Sequence, residues 1–288
     1  SWYVSRGFDE VLADHPDLYK DSLDEEAEAS GVGNETQVTT NNGTYQKMID
    51  FLRLGDPDYK NKVFADINGG LGASNQLKYE NGIANYQVIE PFYDRRRFPI
   101  YTMTNEDAVK AVGLLGLKVT DKPHTELNKF VKSDEGFAKF ESLVKRGQLP
   151  SSKLTPDYTE QNGYDIPSES VDYAMSNAVL NVIPGDVRQD VVLNFGRALK
   201  VGGKGLISTR AKDVATNKSN ISLSEDPLEF YVAQNYSYQK GFTNKELQAY
   251  VQDVLGTDFR VSVYAKLSGS AVLVERVSNN EDLESKFV

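Results

Sequence analysis

The chain has 288 residues, 39% of them hydrophobic and 26% charged, which suffices for one large α/β domain or a medium domain carrying an insert. A net charge of −10 opposes non-specific attraction to a phosphate backbone, so nucleic acid is not supported as a partner and any contact with it would have to be local and basic. The absence of cysteine excludes disulfides, thiolate metal sites and a cysteine nucleophile, and the two histidines, His15 and His124, lie too far apart in sequence to suggest a metal site or a histidine-centred triad.

Residues 1–44 read as an acidic arm: from Asp9 to Glu28, the acids Asp9, Glu10, Asp14, Asp17, Asp21, Asp24, Glu25, Glu26 and Glu28 face a single lysine, Lys20. A solvated extension is the plain reading, and docking to a protein partner is the functional one. The N-terminus lacks the basic-then-apolar layout of a secretory signal, and no run approaches the roughly 20 apolar residues of a membrane span. A cytoplasmic location with no membrane partner is therefore expected.

The folded domain is expected over 45–288, opening with a short helix at 45–54 in which Met48, Phe51, Leu52 and Leu54 are apolar. Strand signals follow at 62–67, 86–89, 170–180 and 205–208. A helix is expected over 187–200, with Val191, Val192, Phe195 and Leu199 at near-helical spacing and Gly202-Gly203 as its terminator. This alternation is the rhythm of a parallel α/β sheet. Residues 105–165 exceed what a crossover needs, so they read as an insertion, with helical stretches at 106–117 and 125–145, that serves as a lid or as a packing appendage. Near the C-terminus a helix at 243–255 has Thr243 as N-cap and Glu246 at the capping-box position. Strands at 259–266 and 271–277 come so soon after one another that they must be antiparallel.

Chemistry concentrates where an apolar strand ends in Asp66 and runs into Asn68-Gly69-Gly70-Leu71-Gly72. Glycines there let the backbone approach a ligand at the carboxyl edge of the sheet. Gly70 and Gly72 are followed by Asn75 where a dinucleotide fingerprint has its third glycine, and no G-x-x-x-x-G-K-[ST] run exists, which counts against pyrophosphate and triphosphate ligands. Glu90, at the end of the second strand and followed by Pro91, is placed where a carboxylate can accept both hydroxyls of a ribose. Arg95-Arg96-Arg97 read as a solvated basic turn or as a contact for an anionic substrate.

These motifs resemble the class I S-adenosylmethionine-dependent methyltransferase superfamily, over about residues 45–277. The resemblance implies a Rossmann-like fold: a mostly parallel sheet closed by an antiparallel C-terminal hairpin, with helices on both faces. It implies S-adenosylmethionine as cofactor, with Asp66, Asn68, Gly70 and Gly72 on the first motif, Glu90 and Pro91 at the ribose, and Ser176 and Asn177, together with Asn181, nearest the transferred methyl. By motif position alone, Asn177, Asp172, Tyr173, Arg210 and Tyr238 are the catalytic candidates. The first glycine of the motif is replaced by Asn68. Amino-methylating DNA enzymes carry [DNS]-P-P-[YFW] where this chain has Ser176-Asn177-Ala178-Val179, so that subclass is disfavoured. Short matches around 177–184, 200–210 and 238–247 are similar to a bacterial and phage branch that includes methyltransferases associated with DNA phosphorothioation. Two functional readings follow: a methyltransferase acting on an unknown methyl acceptor, or a methyltransferase-like domain without transfer activity that serves as a binding or structural module. The methyltransferase is the leading reading; the acidic arm, Asn68 and the lack of a recognisable catalytic tetrad are what support the alternative.

Overall fold

A computed structural model describes residues 42–67, 74, 76–89, 100, 103–149, 166–183, 185–211, 220–222, 228–232, 237–280 and 283. The acidic arm up to residue 41 lies outside them, as do Asn68, Gly70, Gly72, Glu90, Pro91 and Arg95-Arg96-Arg97.

Strands β1 (Val63–Ile67), β2 (Asn85–Ile89), β3 (Val171–Asn177) and β4 (Leu199–Thr209) are parallel, and β1 and β3 are buried along most of their length because helices cover both faces. A smaller antiparallel sheet is formed by β5 (Asn220–Ser222), β6 (Glu229–Val232) and β7 (Ser237–Lys240). The last two strands, β8 (Phe259–Val263) and β9 (Ser270–Arg276), make the antiparallel hairpin. The main sheet has the order β2-β1-β3-β4-β9-β8, with β9 antiparallel to both of its neighbours. The expected fold class, a mostly parallel sheet closed by an antiparallel C-terminal hairpin, is therefore present.

Side chains alternate across the strands, so each strand feeds two cores. One face packs Ala65, Ile67, Ala174, Ile207, Val272 and Val274 against helices α6 (Gly185–Ala198) and α7 (Asn244–Leu255). The other packs Phe64, Tyr86, Val88, Met175 and Leu206 against Tyr45, Met48, Ile49 and Leu52 of helix α1 (Asn42–Leu52). Helix α2 (Gln76–Asn81) leads into β2. Glycine is required where α6 meets this frame: a Cβ at Gly196 would lie 2.4 Å from Leu255 Cδ2, and one at Gly205 would lie 2.5 Å from Phe195 Cζ and 2.6 Å from the Ala174 carbonyl.

The segment expected to be an insertion holds α3 (Asn105–Leu114), α4 (Pro123–Val131) and α5 (Asp134–Lys145) around a core of its own, including Met103, Ala111, Leu127, Val131 and Phe140. The stretch read as one helix over 125–145 is two, because Ser133 caps α5 by accepting from Gly136 N at 3.0 Å. A second expectation is corrected: Gly202-Gly203 do not terminate α6 but lie inside β4, which starts directly after Ala198, with Gly202 at φ +83°. The capping box at Thr243 and Glu246 is present in both directions. Among the described residues no helix is long and apolar enough to cross a membrane, and no group of His, Asp and Glu is arranged to hold a metal ion.

Candidate active site at the carboxyl edge of the sheet

Because β1 to β4 run the same way, Asp66, Ser176, Asn177, Ser208 and Thr209 all come to one edge. Asp66 is fully buried and accepts a short hydrogen bond from the Ser74 hydroxyl, so the carboxylate ties the end of β1 to Ser74. Tyr86 of β2 lies beside them. Burial pushes its phenol well above the ordinary range, the Asp66 charge adds to that, and the Ser74 hydroxyl acts in the opposite sense.

On the β3 and β4 side, Asn177 Oδ1 accepts from the Ser208 hydroxyl at 2.5 Å. The chain then turns at Ala178, whose φ of +58° is a left-handed conformation that a Cβ disfavours by about 1–2 kcal/mol. Its N–H is held by the Ser208 carbonyl at 2.9 Å. Strain of this kind persists where surrounding contacts over-determine the backbone. Around the turn, Ser176 Oγ, Asn177 Nδ2, Asn181 Oδ1 and Thr209 Oγ1 are buried with no hydrogen-bond partner among the described residues. Each such atom, left without a partner, costs about 1–3 kcal/mol, so their collection at one edge makes it the candidate place for a polar ligand.

The loop that carries Asn181 is fixed from behind by Arg188, in the first turn of α6. Arg188 is buried, and its Nε donates to the Leu180 carbonyl at 2.9 Å while Nη2 donates to the Ile183 carbonyl at 2.9 Å and to the Tyr238 hydroxyl at 2.8 Å. Its guanidinium carbon lies 5.9, 5.2 and 6.0 Å from the ring centres of Tyr238, Phe242 and Tyr250. The Tyr238 hydroxyl donates a short hydrogen bond to Glu229 of β6. Lys240 N donates to the Asn181 carbonyl at 2.7 Å, and Asn181 Nδ2 reaches Gln239 Oε1 at 3.4 Å.

Of the sequence candidates described, Asp66, Ser176, Asn177, Arg210 and Tyr238 come to this edge or its wall. Arg210 follows β4 with its side chain exposed, and its carbonyl accepts from Phe242 N at 3.1 Å. Tyr238 is pushed up first by burial, against the Arg188 charge. Asp172 and Tyr173 are not brought here; they sit at the opposite end of β3. Asp172 Oδ2 accepts from Val63 N at 2.9 Å and Lys200 Nζ at 2.8 Å, and the Tyr173 hydroxyl donates to Asp56, the largest influence holding that carboxyl below its usual value. Sequence reasoning missed Arg188 and Glu229. A signal for Arg188 existed, because a cation in the first turn of a helix opposes the macrodipole and so asks for specific partners.

No protein-family model matches the sequence, and no curated protein matches it. Among solved structures the chain is similar to a 1,6-didemethyltoxoflavin-N1-methyltransferase from Burkholderia thailandensis, solved with 1,6-didemethyltoxoflavin and S-adenosylhomocysteine: 11% identity, covering 91% of this chain and 88% of the other, TM-score 0.44. It is also similar to an S-adenosylmethionine-dependent methyltransferase from Mesorhizobium loti: 14% identity, covering 78% of this chain and 94% of the other, TM-score 0.42. Both are likenesses of chain path at low identity, and the fold assignment rests on the strand order.

Proposed function

We propose that the chain binds S-adenosylmethionine at the carboxyl edge of the main sheet and transfers its methyl group to an acceptor. The observation that carries this reading is the antiparallel β9 between β4 and β8, in an otherwise parallel sheet whose first strand ends in a buried acid and a glycine-rich turn. The buried atoms Ser176 Oγ and Asn177 Nδ2, without partners among the described residues, fit a polar ligand at that edge.

In this reading Asp66 holds the turn through Ser74, and Asn68, Gly70 and Gly72 let the backbone come close to the ligand. Glu90, with Pro91 behind it, accepts the ribose hydroxyls, and Ser176 and Asn177 offer O–H and N–H to the reactive end. When bound, the cofactor supplies a methyl group already activated on a sulfonium, so the protein's contribution is chiefly orientation and exclusion of water. The motif matches at 177–184, 200–210 and 238–247 support membership of the bacterial and phage branch. A cytoplasmic setting and a protein partner held by the acidic arm complete the proposal.

The test is calorimetric titration of the whole chain with S-adenosylmethionine and S-adenosylhomocysteine. Micromolar binding that falls by about ten- to a hundredfold in Glu90→Ala, the effect of losing charge-assisted hydrogen bonds, is the expected result. A folded wild type that binds neither ligand at millimolar concentration leaves the non-catalytic module as the reading.

A further inference from the structure

The edge described above has a second wall, made by the small antiparallel sheet, and one side chain joins that wall to the loop after β3. Arg188 donates to two carbonyls of the loop, Leu180 and Ile183, and to the Tyr238 hydroxyl on β7. Tyr238 passes the connection to Glu229 on β6, so the buried guanidinium is linked to a carboxylate through one phenol. The three rings around Arg188 come from β7, the segment after it, and α7. Backbone bonds close the same joint: Lys240 N to the Asn181 carbonyl, Gly241 N to the Leu228 carbonyl at 2.7 Å, and Phe242 N to the Arg210 carbonyl.

We infer that Arg188 is a positioning residue for methyl transfer: through Tyr238 and Glu229 it locks the loop after β3 and the small sheet into one unit, and so sets where Ser176, Asn177 and Asn181 stand. The inference rests on the proposed cofactor reading. Three geometric facts carry it. First, Arg188 occupies the first turn of α6, where a cation is disfavoured unless the site demands it. Second, the loop it holds begins at the strained Ala178 and contains Asn181, whose Oδ1 has no partner among the described residues, so the loop's conformation is not the one local preference would choose. Third, a guanidinium reaches two carbonyls and a hydroxyl at once because its donors form a planar fork, a geometry that an ammonium does not reproduce. The Tyr238 hydroxyl, donating to Glu229 while accepting from Arg188, serves here as a link between charges.

The test uses Arg188→Lys, which keeps the charge, Arg188→Met, which keeps the stem, and Glu229→Gln, which keeps an acceptor for Tyr238. Hydrogen exchange read over 178–183 and 238–242 is expected to accelerate about tenfold in both Arg188 variants, while exchange in β1 and β9 is unchanged. The functional readout is the ratio of affinities for S-adenosylmethionine and S-adenosylhomocysteine, which differ by the methyl group and the sulfonium charge it confers. A positioning role moves that ratio by about threefold or more, whereas a merely structural role weakens both ligands by the same factor. If Arg188→Met does not fold, Arg188→Lys and Glu229→Gln read the same ratio. Wild type that binds neither ligand overturns the cofactor reading and this inference with it. Wild type that binds both, with the ratio unchanged in the variants, overturns the inference and leaves the cofactor reading standing.

Discussion

Asp66 and Arg188 are buried charges held in different ways, and the difference predicts what each substitution does. Asp66 is held by the Ser74 hydroxyl, whereas Arg188 has carbonyls, a phenol and three aromatic rings around it. A third buried charge lies far from the site. Asp258 accepts from the Ser278 hydroxyl, from Asn280 N at 2.7 Å and from Asn280 Nδ2 at 3.1 Å, fastening the chain after β9 to the start of β8. Replacing it with alanine removes the acceptor of three hydrogen bonds, and the expected loss of stability is about 1–3 kcal/mol, measured by urea denaturation, because Asn280 is exposed and can turn its donors to water. By contrast, the Arg260–Glu275 pair at 2.9 Å is largely solvent-exposed, and Arg260→Ala is expected to leave the urea midpoint unchanged because such pairs trade Coulomb attraction against side-chain entropy and screening. Gly205→Ala places a methyl against both Phe195 and the Ala174 carbonyl. Since a backbone atom cannot yield as a side chain can, a cost of about 2 kcal/mol or more is expected in the same assay. These distinctions are legible only with partners known: nothing in the sequence separates Asp258 from Asp253, and the place of Arg188 in the first turn of a helix asks for partners without naming them.

Secondary structure was readable wherever a local signal was strong. Thr243 and Glu246 announced the start of α7, and their reciprocal hydrogen bonds are present; Thr243→Ala is expected to cost about 1 kcal/mol by thermal denaturation, the value of a lost cap. The reading failed at α6 and β4, where the chain passes from helix to strand without a loop. Gly202-Gly203 looked like a helix end, whereas the strand begins at Leu199 because pairing with β3 outweighs the weak strand preference of glycine. The small sheet was missed because its strands, three or four residues long, carry too few positions for alternation to show. The insertion makes its own prediction through His124, whose imidazole nitrogen contacts the Met103 carbonyl at 3.3 Å. Burial depresses its pKa, and the carbonyl contact offsets this only in part. The folded insertion therefore holds His124 neutral, while the unfolded chain takes up a proton near pH 6.5. Stability from this site is present above that value and is lost as pH falls below it towards the folded pKa. Hydrogen exchange across 103–149, corrected for intrinsic rates, is expected to rise between pH 7.5 and 5.5, and His124→Gln to abolish the rise.

For the whole molecule, alkaline pH is the informative stress. Tyr86, Tyr173, Tyr238, Tyr250 and Tyr264 all have pKa values raised first by burial, so their phenols stay protonated in the folded state after unfolded chains have lost theirs near pH 10. The native state then binds more protons than the unfolded one, and stability is expected to fall steeply above about pH 10. Urea midpoints measured from pH 8 to 11, with tyrosinate absorbance read alongside, check this; a flat profile would contradict the burial of these rings. The fold class was legible from end to end, because hydrophobic alternation, the Asp66 turn and the closely spaced C-terminal strands are local in sequence and the rules joining parallel strands leave few topologies. That Asp66, Ser176 and Asn177 share one edge of the sheet was legible for the same reason, since they lie at strand ends that the rhythm already marked. Asp172 and Tyr173 were not distinguished from them, since strand polarity and length decide which residues of β3 reach that edge. By itself the sequence determined the kind of sheet and the strand ends that share its carboxyl edge, because those follow from short-range pattern. Only the tertiary structure decided the wall of that edge and the Arg188 network behind it, because they arise from contacts of the loop after β3 and of α6 with the small sheet, between residues 50 and 58 apart in the chain.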